Sequence, residues 1–190
     1  MNRTLDDLET ACRSCERCAL SATRTQVVAG EGPFDAPLVL VGEAPGRLED
    51  ESGHPFVGRS GQLLLELLEE TTRLTRSDVF ITNTVRCRPP DNRTPTTIER
   101  SSCAHWLDGE LQMLSAPVIV AVGATATRAL LGHATVMRDV HGTEQVSDRT
   151  TAVVVPAFHP AAALRGGAAI VDALRGDLAF AGSLATRTQR

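Results

Sequence analysis

Three side chains suited to handling a ligand stand just past short apolar runs: Glu43 after Leu38 to Val41 (LVLV), Asn83 after Val79 to Thr82 (VFIT), and His159 after Thr151 to Val155 (TAVVV). An amide offers a donor and an acceptor together. An imidazole can donate to an oxygen on which negative charge develops, and a carboxylate can stabilise a cation or orient water. The stretch Val41 to Gly61 (VGEAPGRLEDESGHPFVGRSG) turns through Gly42, Pro45 and Gly46 after the first run. It adds the pair Glu49-Asp50 and then Phe56, a candidate stacking face, before a glycine-bracketed helix start. Taken singly, Phe56 is as readily a core residue, Asn83 a turn former and His159 a loop histidine satisfied by backbone.

Cysteines form the second set. Cys15-x2-Cys18 is a chelating pair, Cys87 follows in a loop and Cys103 comes sixteen positions later, while Cys12 repeats the same spacing against Cys15. In a reducing compartment five cysteines point to a metal site or to core residues rather than to disulfides. Spacing alone leaves an iron-sulfur cluster, structural zinc and no metal open.

The elements that must position these residues alternate. Thr4 reads as the N-cap of a helix carrying Cys12, Cys15 and Cys18 towards its end. Ser60 to Leu74 reads as an amphipathic helix, Thr97 to about Leu114 as a second and Gly123 to Leu131 as a third, ending at Gly132. Val118 to Val122 (VIVAV) is a further strand, and Ile170 to Ala181 closes the chain before a tail expected to fray from about 184 to 190. Strand and helix alternate four times, which predicts an α/β fold of three layers with a central four-stranded parallel sheet flanked by helices. In such a sheet the carboxyl ends of the strands share one edge, so Glu43, Asn83 and His159 converge there.

The chain has 190 residues, 42% of them hydrophobic, and suits a single domain spanning 1–190. No apolar run reaches the length of a membrane span, and residues 1–20 are polar and acidic where a secretion signal is basic and then apolar. A cytoplasmic monomer with no membrane contact is expected. The net charge of -4 speaks against a broadly basic nucleic-acid surface, yet all 19 basic residues are Arg and several crowd into Arg86 to Arg100.

The motifs in their order resemble a family 4 uracil-DNA glycosylase of the iron-sulfur type, from Cys15 to Arg165. The matching pieces are C-x2-C at Cys15 and Cys18, GEAPG at Gly42 to Gly46, PFVGRSGQLL at Pro55 to Leu64, NTVRCRPPDNRTP at Asn83 to Pro95, Cys103, and HPAAALR at His159 to Arg165. The resemblance implies a [4Fe-4S] cluster on Cys15, Cys18, Cys87 and Cys103, with Cys12 spare. It also implies hydrolysis of uracil from single- or double-stranded DNA, leaving an abasic site. Gly42, Ala44, Phe56 and Asn83 would then form the base pocket, with Asn83 pairing with N3 and O4 and His159 donating to O2. Ala44 stands where relatives in other families carry an Asp, which leaves Glu43 and Asp50 as the candidates for activating water; Glu49 is read as solvated. Arg59, Ser60, Arg88, Arg93 and Arg165, together with the amides of Gly58 to Gly61, are candidate DNA contacts, and Leu164 resembles a wedge residue. Val140-His141-Gly142 replaces the usual Arg-Gly, so that a DNA-facing arginine is replaced by His141 or shifted to Arg138. A related branch that traps the abasic product covalently has a Gln at Ala44 and a basic, histidine-ending insertion, both missing here, so ordinary turnover is expected. The rival readings are a glycosylase of this fold acting on another deaminated base, and a non-catalytic iron-sulfur module that binds DNA.

Overall fold

The computed structural model describes residues 4–188. Helix α1 (Leu5–Arg13) starts at a reciprocal capping box in which the Thr4 hydroxyl accepts from the Asp7 amide and the Asp7 carboxylate accepts from the Thr4 amide. It carries Cys12 alone, because Cys15 and Cys18 lie in the loop beyond its end. There follow β1 (Leu38–Gly42), α2 (Arg47–Ser52), α3 (Arg59–Thr72), β2 (Phe80–Asn83) and α4 (Thr97–Met113). The chain continues through β3 (Val118–Val122), α5 (Ala124–Leu131), α6 (Met137–Val140), β4 (Gln145–Ser147), β5 (Thr150–Ala157), α7 (Pro160–Gly166) and α8 (Ala168–Thr188).

The strands form one sheet in the order β2-β1-β3-β5-β4. The first four are mutually parallel and β4 pairs antiparallel with β5. The expected four-stranded parallel sheet is therefore present with a fifth, antiparallel edge strand. Three residues, only Ser147 of them buried, are too few to show a period-2 pattern. The expected frayed tail is also corrected: α8 runs to Thr188 because Leu184 and Ala185 are buried against the core. Residues 189–190 lie outside the described residues.

Alternation along the strands feeds two cores. Leu38 and Leu40 of β1, with Val118, Val120 and Val122 of β3, pack with Leu64 and Leu68 of α3 and Leu174 and Leu178 of α8. Val39, Val41, Ile119 and Ala121 face the other way, onto Leu107 and Leu111 of α4 and Leu130 of α5. Both faces are covered, which is why these strands read as continuous apolar runs. After β1 the chain places β2 on one side and β3 on the other, so the order reverses between β1 and β3. In open α/β sheets the crevice at such a reversal is where ligands bind.

Candidate active site

A cavity of about 660 Å³ opens at this crevice, lined by Glu43, Ala44, Phe56, Asn83, Thr125 and His159 among others. The three strand-end residues expected at one edge do meet there. A groove of about 780 Å³ between α1, α4 and the 29–34 loop is larger but mostly apolar, with Leu5, Leu8, Phe34 and Trp106 on its walls. The convergence of polar groups, rather than size, marks the first cavity as the candidate site.

Gly42, expected in the pocket, is outside its lining and packs behind two lining residues. A Cβ there would stand 2.4 Å from Asn83 Oδ1 and 2.5 Å from Phe56 Cζ, so the amide and the ring close over a position that only glycine can fill. The ring is held from behind. Phe56 has a φ of 54°, a left-handed conformation costly for a bulky residue. A Cβ on Gly61 would meet the Phe56 backbone at 2.4 Å, while Arg76 donates to the carbonyls of Pro55 (2.6 Å) and Phe56 (3.4 Å). Arg76 did not figure in the sequence reading, and Gly61 figured there only through its amide, as a candidate phosphate contact.

His159 is the N-cap of α7, and its Nδ1 accepts from the Ala161 amide at 3.1 Å. With Nδ1 an acceptor, the neutral ring carries its proton on Nε2. Burial lowers its pKa, Glu43 pulls it upward and Arg165 pushes it down further. The ring is thus set as a neutral Nε2–H donor. Phe158 beside it is anchored by its amide donating to Asp177 (3.1 Å), which also binds His141 Nδ1 at 2.8 Å. His141 packs against Phe158 with the rings tilted at 45° and their centroids 4.4 Å apart, so it supports the histidine turn. Arg138 remains exposed beside Asp139.

The carboxylates separate by partner. Glu43 faces the cavity, where Thr125 Oγ1 donates to its Oε2; the Glu43 carbonyl accepts from Thr84 Oγ1 (2.6 Å) and from the Val85 amide (3.3 Å). Asp50 is buried outside the cavity lining and accepts from the Thr25 amide at 2.9 and 3.1 Å. Glu49, read as solvated, is 9% exposed and accepts from the Gly58 amide (2.7 Å) and the Gly46 amide (3.1 Å). Its charge at the start of α3 takes one of the amides expected to be free for a phosphate.

Next to the cavity lies a shallower one lined by Arg47, Arg59, Ser60, Leu164 and Arg165, with Leu164 47% exposed. The remaining candidate arginines stand apart from it. Arg93 lines the main cavity, but both its terminal nitrogens bind Glu99, at 2.8 and 2.7 Å. Arg88 donates to Asn92 Oδ1 at 2.7 Å.

Cys12, Cys87 and Cys103 gather in a third buried cluster with Leu20, Val27 and Val85, against which Cys18, Ala44 and Trp106 pack. Three sulfurs accept N–H bonds: Cys15 from Trp106 Nε1 (3.4 Å), Cys87 from Arg24 Nη1 (3.4 Å) and Cys103 from the Arg86 amide (3.3 Å). Burial raises the Cys87 thiol, pushes Cys103 up to about 11 and Cys12 to about 12. Among the described residues no three His, Cys, Asp or Glu side chains are grouped to hold a single metal ion. The donors aimed at Cys15, Cys87 and Cys103, with the buried Arg86 charge acting on Cys103, fit thiolates that carry a negatively charged group.

Arg86 links this cluster to the cavity. Its guanidinium donates to Thr82 Oγ1, to the Asn83 carbonyl and, at 2.8 Å, to Glu110 Oε2 from α4. The charged pair is almost wholly buried.

Residues 29–176 match the family model described as Uracil DNA glycosylase superfamily. Among similar curated proteins is a type-4 uracil-DNA glycosylase of Thermotoga maritima, 45% identical over 154 residues, covering 80% of this chain and 79% of that protein. The type-4 enzyme of Pyrobaculum aerophilum is 40% identical over 91% of this chain and 88% of its own length. That of Archaeoglobus fulgidus is 40% identical over 85% and 83% respectively. With the strand-end cavity and the cysteine cluster, these matches establish that the chain belongs to the uracil DNA glycosylase superfamily, in its type-4 branch.

Proposed function

We infer that the chain is a uracil-DNA glycosylase that hydrolyses the N-glycosidic bond of uracil in DNA and leaves an abasic site. The observation that carries this reading is the convergence of Phe56, Asn83, His159 and Glu43 on one cavity at the strand-order reversal. Chemistry on a base requires it to leave the stack and enter such a pocket. The flipped uracil lies on the Phe56 ring. Asn83 donates to O4 and accepts from N3–H, a pattern that cytosine reverses. As the C1′–N1 bond breaks, its electron pair goes to the base, and His159 Nε2–H stabilises the charge spreading onto O2. The sugar becomes oxocarbenium-like; water adds to C1′ and gives its proton to Glu43. Asp50, held by Thr25, has no part in this scheme. Arg59, Ser60 and Arg165 bind backbone phosphates, and Leu164 fills the gap left in the stack.

Cys15, Cys18, Cys87 and Cys103 would hold a [4Fe-4S] cluster. Bound there, it supplies covalent crosslinks between the loop after α1, the loop after β2 and α4. Cys12, on α1 and strongly desolvated, remains a thiol.

Uracil release from a uracil-containing oligonucleotide by protein of verified iron and sulfide content tests the reading, with Asn83→Ala and His159→Ala alongside. Multiple turnovers by the wild type, with a fall of about 100-fold or more in each variant, are expected. No abasic product on single or double strands would move the assignment to another damaged base or to a binding module.

A further inference from the structure

We propose that Thr125 is the positioning residue for the Glu43 carboxylate, an inference that rests on the glycosylase reading and on the role of Glu43 within it. Glu43 sits in a turn, Glu-Ala-Pro-Gly, whose backbone is fastened by Thr84 and Val85, but this leaves the carboxylate free to rotate about three side-chain bonds. Among the described residues its one side-chain partner is the Thr125 hydroxyl, donating to Oε2. Oε1 is thereby left for water and the developing sugar cation.

Thr125 is well built for this task. It stands in the first turn of α5, next to Ala126 and Thr127, which are both buried. Thr127 Oγ1 ties the turn to the Gly123 carbonyl at 3.0 Å. Gly123, with a φ of 87°, allows the chain to leave β3 sharply enough to bring Thr125 across the crevice to the residue that follows β1. The hydrogen bond therefore spans the point where the strand order reverses. Other ionisable groups that face the cavity are committed elsewhere: Glu49 to two glycine amides and Arg93 to Glu99. His159 is occupied at Nδ1, and Arg165 lines both this cavity and the shallower groove. A donor hydroxyl on Oε2 narrows the carboxylate's orientations and leaves Oε1 turned to the water it receives a proton from.

The test compares Thr125→Val, which keeps the shape and removes the donor, with Thr125→Ser, which restores it. Glu43→Gln serves as reference. Single-turnover release of uracil is followed together with DNA affinity and the thermal midpoint. Thr125→Val is expected to lower the rate constant about 10- to 100-fold, the scale of a hydrogen bond to a charged group. Its DNA affinity and melting stay unchanged, while Thr125→Ser recovers most of the rate. A Thr125→Val enzyme with the wild-type rate, beside an impaired Glu43→Gln, would overturn the role of Thr125 alone. So would a loss explained by weaker DNA binding or lower melting. Full activity in Glu43→Gln would instead remove the role given to Glu43 and this proposal with it, leaving uracil release by the wild type intact.

Discussion

His159 shows how one residue joins stability to chemistry. Its Nδ1 caps α7 only while unprotonated, and burial together with Arg165 outweighs the attraction of Glu43 to hold its pKa below the ordinary histidine value. The sign follows from linkage. Below about pH 6.5 the unfolded chain takes up a proton that the folded ring still refuses, so this group makes stability fall as pH drops from about 6.5 towards the lower folded value. His105 is lowered by burial too and adds a slope of the same sign. His159→Asn, which keeps a good N-cap without titrating, is expected to show a shallower decline in urea-unfolding free energy between pH 7 and 5 than the wild type. An equal slope in the two proteins would place the proton uptake elsewhere.

At the scale of elements, the Arg86–Glu110 pair couples α4 to the end of β2, with the Asn83 carbonyl on one side of the guanidinium and the Cys103 sulfur on the Arg86 amide. Removing one partner leaves a buried charge uncompensated. Glu110→Ala is expected to cost about 3–5 kcal/mol in unfolding free energy, and a substantial share of its residual folded protein should bind uracil more weakly as Asn83 loses its support. A loss below 1 kcal/mol, with uracil affinity unchanged, would show that the pair is dispensable. The start of α4 was legible in advance, since Thr96 and Glu99 form the capping box that their spacing predicts. That Glu99 also takes both terminal nitrogens of Arg93 was not legible, because a sequence rich in Arg does not say which guanidinium is already bound.

For the whole molecule, α8 is the test of how far the ordered core extends. Leu184 is 7% exposed beyond the point where the tail was expected to fray, so Leu184→Ala should lower unfolding free energy by about 2 kcal/mol or more, with uracil release per folded molecule unchanged. A frayed tail would leave the unfolding midpoint where it was. Near the end of α8 small residues such as Ala181 and Ala185 carry part of its contact with the core. Burial of alanine leaves little trace in a hydrophobic period. The edge strand β4 escaped the sequence reading for a related reason, being short and polar.

The sequence by itself determined the alternation of strand and helix, the arrival of Glu43, Asn83 and His159 at one sheet edge, and the C-x2-C spacing of Cys15 and Cys18. These are local signals: periodicity, turn residues and spacing act over a few positions and survive without knowledge of the fold. Only the tertiary structure decided which groups are free to act. Asp50 is claimed by an amide 25 positions away, and Glu43 is oriented by a hydroxyl 82 positions away. Hydrogen-bond partners at such separations exist only once packing has brought their elements together, and no period or motif within either segment encodes them.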